Sequence, residues 1–176
     1  YALNFRVCLH ERICVSIKPI YGYENLSGKF SHVGTCILVE WESKRYLITA
    51  AHIIDQREVS QLYVGLQNEL EFLNYDFNVT SVLSRRRSDD HYDFAWVELN
   101  EETFPKHHQL EYINSKRIAQ PSHRSKGKLH LALGYPNSKN KKFDHIQCVT
   151  KPKLMKYSGV LVDDRALCVK WGVSSN

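Results

Sequence analysis

No apolar run in these 176 residues approaches the roughly 18 needed to cross a bilayer, so no membrane partner is expected. No cysteine lies two residues from another. Cys8, Cys14, Cys36, Cys148 and Cys168 are odd in number and scattered, which argues against a zinc ribbon and against a full disulfide framework. Set among apolar neighbours such as Leu167 and Val169, they read as reduced, buried thiols, and that favours a cytoplasmic address. Internal repeats, low-complexity stretches and any sustained helical period are also missing. Charge is not one-sided: 24 Lys and Arg against 19 Asp and Glu leave a net charge of +5. The basic residues gather in Arg85-Arg86-Arg87 and Lys139-Asn-Lys-Lys142, but Asp89-Asp90 follow the first cluster and stacking aromatics interleave neither. Both clusters read as solvated loops, and no nucleic-acid partner is expected. Tyr1 stands where a start methionine would, so the chain reads as a fragment.

What the sequence has in quantity is strand. Segments 12–17, 34–41, 45–49, 61–65, 78–83 and 93–99 are short, rich in β-branched and aromatic residues, and separated by polar turns. Glu42-Ser-Lys44 has the length of a hairpin loop between the second and third. An all-β barrel or sandwich is the fold class these patterns support. From 101 to 125 the pattern lapses into a polar segment with Pro105, His107-His108, Pro121 and Ser122, which reads as a linker. Strand signals resume at 128–134, 144–150 and 166–171, too few to close a second barrel of six.

The chemistry concentrates in two places. Tyr46-Leu-Ile-Thr-Ala-Ala-His52 is an apolar strand running into a small-residue turn that ends on histidine. Asp93 follows at the head of another strand, inside His91-Tyr-Asp-Phe-Ala-Trp-Val-Glu-Leu99. A hydroxyl or thiol is a poor nucleophile until a base takes its proton, and an imidazole titrating near pH 6.5 suits that task at neutral pH. The base must sit on a rigid element, as His52 would, and a carboxylate must hold its ring, as Asp93 could. Asp93 alone would be no more than a strand-capping carboxylate. Asp89, Asp90 and His91 read as solvated loop residues, with Asp90 the fallback if Asp93 points away. The remaining histidines, including His107, His108 and His130, have no spacing that assembles a metal site, and no cofactor is implied.

Gly34-Thr-Cys-Ile-Leu-Val39, then Tyr46 to His52, then Asp93-Phe-Ala-Trp-Val-Glu-Leu99, resembles the trypsin-like (chymotrypsin-fold) serine proteases, particularly their bacterial intracellular members. Gly134-Tyr-Pro136 is similar to the opening of that family's second barrel. The resemblance implies two antiparallel six-stranded β-barrels: residues 1–100 the first, carrying His52 and Asp93, 101–125 a linker, and 126–176 a second that is incomplete in this chain. It implies a serine endopeptidase working through a Ser-His-Asp triad and an acyl-enzyme, with a protein or peptide substrate and a possible fused or associated sensor domain. One departure is plain. The family's nucleophile sits in Gly-x-Ser-Gly, and this sequence has none. Gly172-Val-Ser-Ser-Asn176 offers Ser174 but puts Ser175 where the flexible glycine belongs, so the serine is expected beyond Asn176. Cys148 and Cys168, without flanking glycines, read as core thiols. A second reading of the same departure is a catalytically inactive domain that binds peptides or acts as a scaffold.

Overall fold

The computed structural model describes residues 13, 15–25, 28–66, 69–80, 87, 90, 92–117, 129–135, 155–163 and 168–172, with 129–132 and the last two stretches described by their backbone. Among the described residues strand is the dominant element, as expected, and the helices lying wholly within them are short turns. Eight strands form one sheet: β1 Ile17–Glu24, β2 Lys29–Trp41, β3 Lys44–Thr49, β4 Gln61–Gly65, β5 Leu70–Phe72, β6 Asn78–Val79, β7 Ala95–Leu99 and β8 Ile113–Asn114. Their order is β5-β4-β1-β2-β3-β7-β6, with β8 lying parallel against Val39 and Glu40 of β2. A smaller sheet joins β9 Leu129–Gly134, β10 Met155–Asp163 and β11 Cys168–Gly172 in the order β11-β10-β9.

The thirteen-residue β2 carries the larger sheet. Its first half pairs with β1 and its second half with β3, and the register with β1 slips between Ile20 and Tyr21. A bulge of this kind adds local twist, and with the change of partners along β2 it curls the sheet into a half-barrel. The first strand differs from the sequence reading, which put it at 12–17: residues 15 and 16 form a turn, and the strand begins at Ile17. Pro19 has no N–H for a ladder, yet it sits where β1 pairs with β2 alone, since the bonds to β4 start at Ile20. The hairpin loop also differs. Trp41 pairs with Lys44, so the loop is the two residues Glu42 and Ser43, both left-handed at φ 48° and 64°, as the tight hairpin turn requires.

The concave face closes over Leu38, Leu47, Leu62, Val64, Leu73, Val97 and Leu99, each at most 4% exposed. Ile53 and Ile54 cover one end from a short helix, α1, Ala51–Asp55. Gly34 makes room for it, because a Cβ there would come within 1.7 Å of Ile53 Cδ1. Cys36 is 1% exposed and free, and burial pushes its thiol up to about 12, the inert buried state expected of it. The chain at 101–117 does not stand away from this core: Phe104 is 1% exposed inside it, and Leu110 and Tyr112 pack against it.

His32 on β2 is 3% exposed, edge-on to the rings of Tyr21 and Tyr135. Burial pushes its pKa below the usual 6.5, opposed by a weaker backbone interaction at Gly34. Between the folded value and 6.5 the unfolded chain holds more protons than the folded one, so stability rises with pH there. The full contribution is present above pH 6.5 and drains away as the pH falls through the folded value. A urea midpoint measured from pH 8 to pH 5 should therefore decline in the native chain and decline less in His32→Phe; parallel curves would remove His32 as the cause.

Candidate active site

Ala50 and Ala51 cannot cap a helix, because neither side chain has an acceptor, and α1 follows Ala50 with no side-chain cap of its own. The cap comes from elsewhere in the chain. Asp93 accepts the Ala51 amide with its backbone carbonyl at 3.1 Å and the His52 amide with Oδ1 at 2.9 Å. Two of the orphan donors of the helix are thus satisfied by a residue 41 positions away. To present both groups to the same helix end, Asp93 adopts a left-handed backbone, φ 43°, which Asp tolerates better than most residues.

The same carboxylate also holds the ring. Asp93 Oδ2 lies 2.5 Å from His52 Nδ1. A carboxylate can only accept, so Nδ1 is the donor in this contact, and a neutral ring held this way has its lone pair on Nε2. The His52 side chain is 55% exposed and that of Asp93 34%, so Nε2 can be reached while the Nδ1 contact is partly sheltered.

Beside the pair, the Thr49 hydroxyl donates to the Thr35 carbonyl at 2.9 Å, and the Thr35 hydroxyl accepts the Tyr135 amide at 3.0 Å. These bonds tie the end of β3, the Gly34-Thr35 stretch of β2 and the residue after β9 into one corner. Thr49 and Thr35 lie inside the motifs that drew attention in the sequence, but their partners were not legible there.

The two residues chosen from the sequence, His52 and Asp93, are thus in direct contact, and Asp93 does not point away from the ring. Asp90 does not read as expected. It is 7% exposed rather than solvated, and its carboxylate faces Thr80, Arg87 and the Tyr92 amide. Arg87, counted among the solvated basic loop, is paired on two sides. Ser174, Cys148, His91, Asp89, Arg85 and Arg86 lie outside the described residues, as does the segment 144–150. Among the described residues no group of three or more His, Cys, Asp or Glu could hold a metal, and no helix is long and apolar enough to cross a membrane. Two cavities, of about 250 Å³ beside Arg57 and Ser60 and about 390 Å³ beside Tyr112 and Arg117, lie away from the pair.

Comparison with protein-family models matches Trypsin over residues 22–176. The chain belongs to the trypsin family. No curated protein matches it. Membership accounts for the mostly-β architecture with its half-barrel sheet, and it supports hydrolysis of protein or peptide substrates as the chemistry of the domain.

Proposed function

We propose that this chain carries the general base and the orienting carboxylate of a serine endopeptidase, His52 and Asp93. The observation that carries the reading is the contact of Asp93 Oδ2 with His52 Nδ1, made by a carboxylate that also caps the helix on which His52 rides. In the reaction, a serine hydroxyl attacks the scissile carbonyl as Nε2 takes its proton. The imidazolium is stabilised by Asp93, and Nε2 then protonates the leaving amine. Water repeats the sequence in reverse on the acyl-enzyme. The two sheets are read as the first barrel, which holds the pair, and part of the second. Since residues 1–176 contain no Gly-x-Ser-Gly, the nucleophile is assigned to such a segment outside them.

Fluorophosphonate labelling of the whole gene product, followed by peptide mapping, tests this. The expected adduct is on a serine flanked by glycines, and His52→Ala should abolish it. Undiminished labelling of His52→Ala sinks the assignment. An adduct on Ser174 would move the nucleophile into this chain, and a protein that never labels but retains peptides would be the inactive binding module.

A further inference from the structure

Helix α1 ends at Asp55, one turn beyond His52, and both carboxylate oxygens of Asp55 are occupied. Arg87 Nε donates to Oδ2 at 2.7 Å and Nη2 donates to Oδ1 at 3.0 Å, a two-pronged fork. The remaining arm of the guanidinium faces the other way. Its Nη1 donates to the Thr80 carbonyl at 2.7 Å and to Asp90 Oδ2 at 3.0 Å. From there the contacts lead to the turn that holds Asp93. Asp90 Oδ2 accepts the Thr80 hydroxyl at 2.6 Å, and Asp90 Oδ1 accepts the Tyr92 amide at 3.0 Å. The Thr80 hydroxyl oxygen accepts the Phe94 amide at 2.9 Å, and the Thr80 amide donates to the Phe94 carbonyl at 2.8 Å. Of the residues on either side of Asp93, Tyr92 is therefore fastened to Asp90 and Phe94 to Thr80. The Thr80 hydroxyl first, with the amides of Asp93 and Tyr92, holds the Asp90 carboxyl down at about 2, so it stays anionic opposite Arg87.

These contacts close a ring: His52, α1, Asp55, Arg87, Asp90, the turn at 92–94, and back to His52 through the carboxylate of Asp93. On the catalytic reading of His52 and Asp93, we infer that Arg87 is a positioning residue, a clamp that fixes the helix bearing the base against the turn bearing its carboxylate. α1 is only five residues long, and its amide end is held by Asp93 itself. Ile53 and Ile54 seat one face of the helix in the core, and holding its far end against the turn at Asp93 calls for a second polar fastening at Asp55. The fork supplies it, with a direction as well as a charge, which an ammonium cannot do. Misplacement on the scale of 1 Å in a proton-transfer pair is enough to cost about 100-fold in rate.

The test uses the whole gene product and two readouts, steady-state hydrolysis of a peptide substrate and the proton NMR resonance of His52 Nδ1–H, which needs no activity. Asp55→Ala cuts the helix end of the clamp and leaves Arg87 its partners in the loop; at 44% side-chain exposure it opens no cavity, so it serves if Arg87→Ala fails to fold. Both variants should lower kcat about 10- to 100-fold with KM unchanged, and should broaden or erase the Nδ1–H resonance through faster exchange with water. Arg87→Lys should not restore either readout. Lys44→Met, which severs the exposed Lys44–Glu98 pair at 3.0 Å, should change neither. Asp55→Ala with native kcat and a native resonance overturns the clamp, and so does an Arg87→Lys indistinguishable from wild type. If the wild type hydrolyses nothing while the resonance is still lost in Asp55→Ala, the clamp stands and the catalytic reading falls.

Discussion

Asp93→Asn is expected to lower kcat for peptide hydrolysis by about 10⁴ while leaving KM and the folded structure near wild type. The carboxamide keeps the shape of the carboxylate and one of its acceptors. Its carbonyl oxygen can still take the His52 amide, and the backbone carbonyl of residue 93 still takes the Ala51 amide, so the helix stays capped. The left-handed backbone at φ 43° suits Asn as well as Asp, so no new strain enters. What changes is the atom facing His52 Nδ1: an N–H₂ donor now stands where an acceptor stood 2.5 Å away. The neutral ring responds by moving its proton to Nε2, and a protonated Nε2 cannot take a proton from a nucleophile. Asp93→Ala separates the two roles. It loses the ring contact and the side-chain cap together, and should add about 1 kcal/mol of destabilisation to a comparable loss of kcat. Steady-state kinetics on both variants, with urea midpoints measured alongside, check this. A native kcat in Asp93→Asn would leave Asp93 as a helix cap and nothing more.

His52 and Asp93 stood out in the sequence because each sits in a short string beside a strand, His52 three residues after β3 and Asp93 two residues before β7. β3, β4 and β7 were legible for the same reason. β4 is the unbroken run Gln61–Gly65, β3 is preceded by the polar Glu42-Ser43 turn, and β7 is followed by Asn100, although it begins at Ala95 rather than at residue 93. β1 was misplaced because Pro19 and Gly22 look like punctuation, and only the strand order shows that Pro19 meets β2 without needing an N–H for β4. β5 and β8 are too short to carry a period and exist by pairing with β4 and β2. Glu42-Ser43 has none of the residues that prefer φ above zero, and the flanking ladder imposes it. The Arg87 contacts were illegible for a different reason. Sequence shows Arg87 beside other arginines and near Asp90, while its bidentate partner Asp55 lies 32 residues away at the end of the helix that carries His52. A charge cluster read in one dimension looks solvated; in the fold one of its members is the link between two elements. The cap of α1 follows the same logic, since Ala50-Ala51 signals no cap and the acceptor arrives from residue 93.

Phe104→Ala is expected to destabilise the domain by about 3–5 kcal/mol, the cost of losing a fully buried ring and leaving a cavity. The size of the effect follows from how little the site can collapse. The ring is 1% exposed and packs in the same cluster as Leu47, Val97 and Leu99, with the Tyr75 ring 6.3 Å away. Its backbone is pinned on both sides. The Phe104 amide donates to the Asn100 carbonyl at 2.8 Å, and the Phe104 carbonyl accepts the His107 amide at 2.8 Å. Upstream, Asn100 Oδ1 accepts the amides of Glu102 and Thr103 at 3.0 and 2.9 Å, so the turn that delivers Phe104 is held independently of the ring. A segment held this way cannot follow the missing atoms inward, which places the loss toward the upper end of the range. In urea the midpoint should drop with an unchanged slope, whereas Val59→Ala, at a residue 81% exposed, should stay within about 0.5 kcal/mol of wild type. A loss below about 1 kcal/mol for Phe104→Ala would mean that the surrounding side chains collapse into the space the ring leaves. The folded fraction of the variant should keep its kcat, because Phe104 anchors the chain beyond β7 and touches neither His52 nor the turn that holds Asp93.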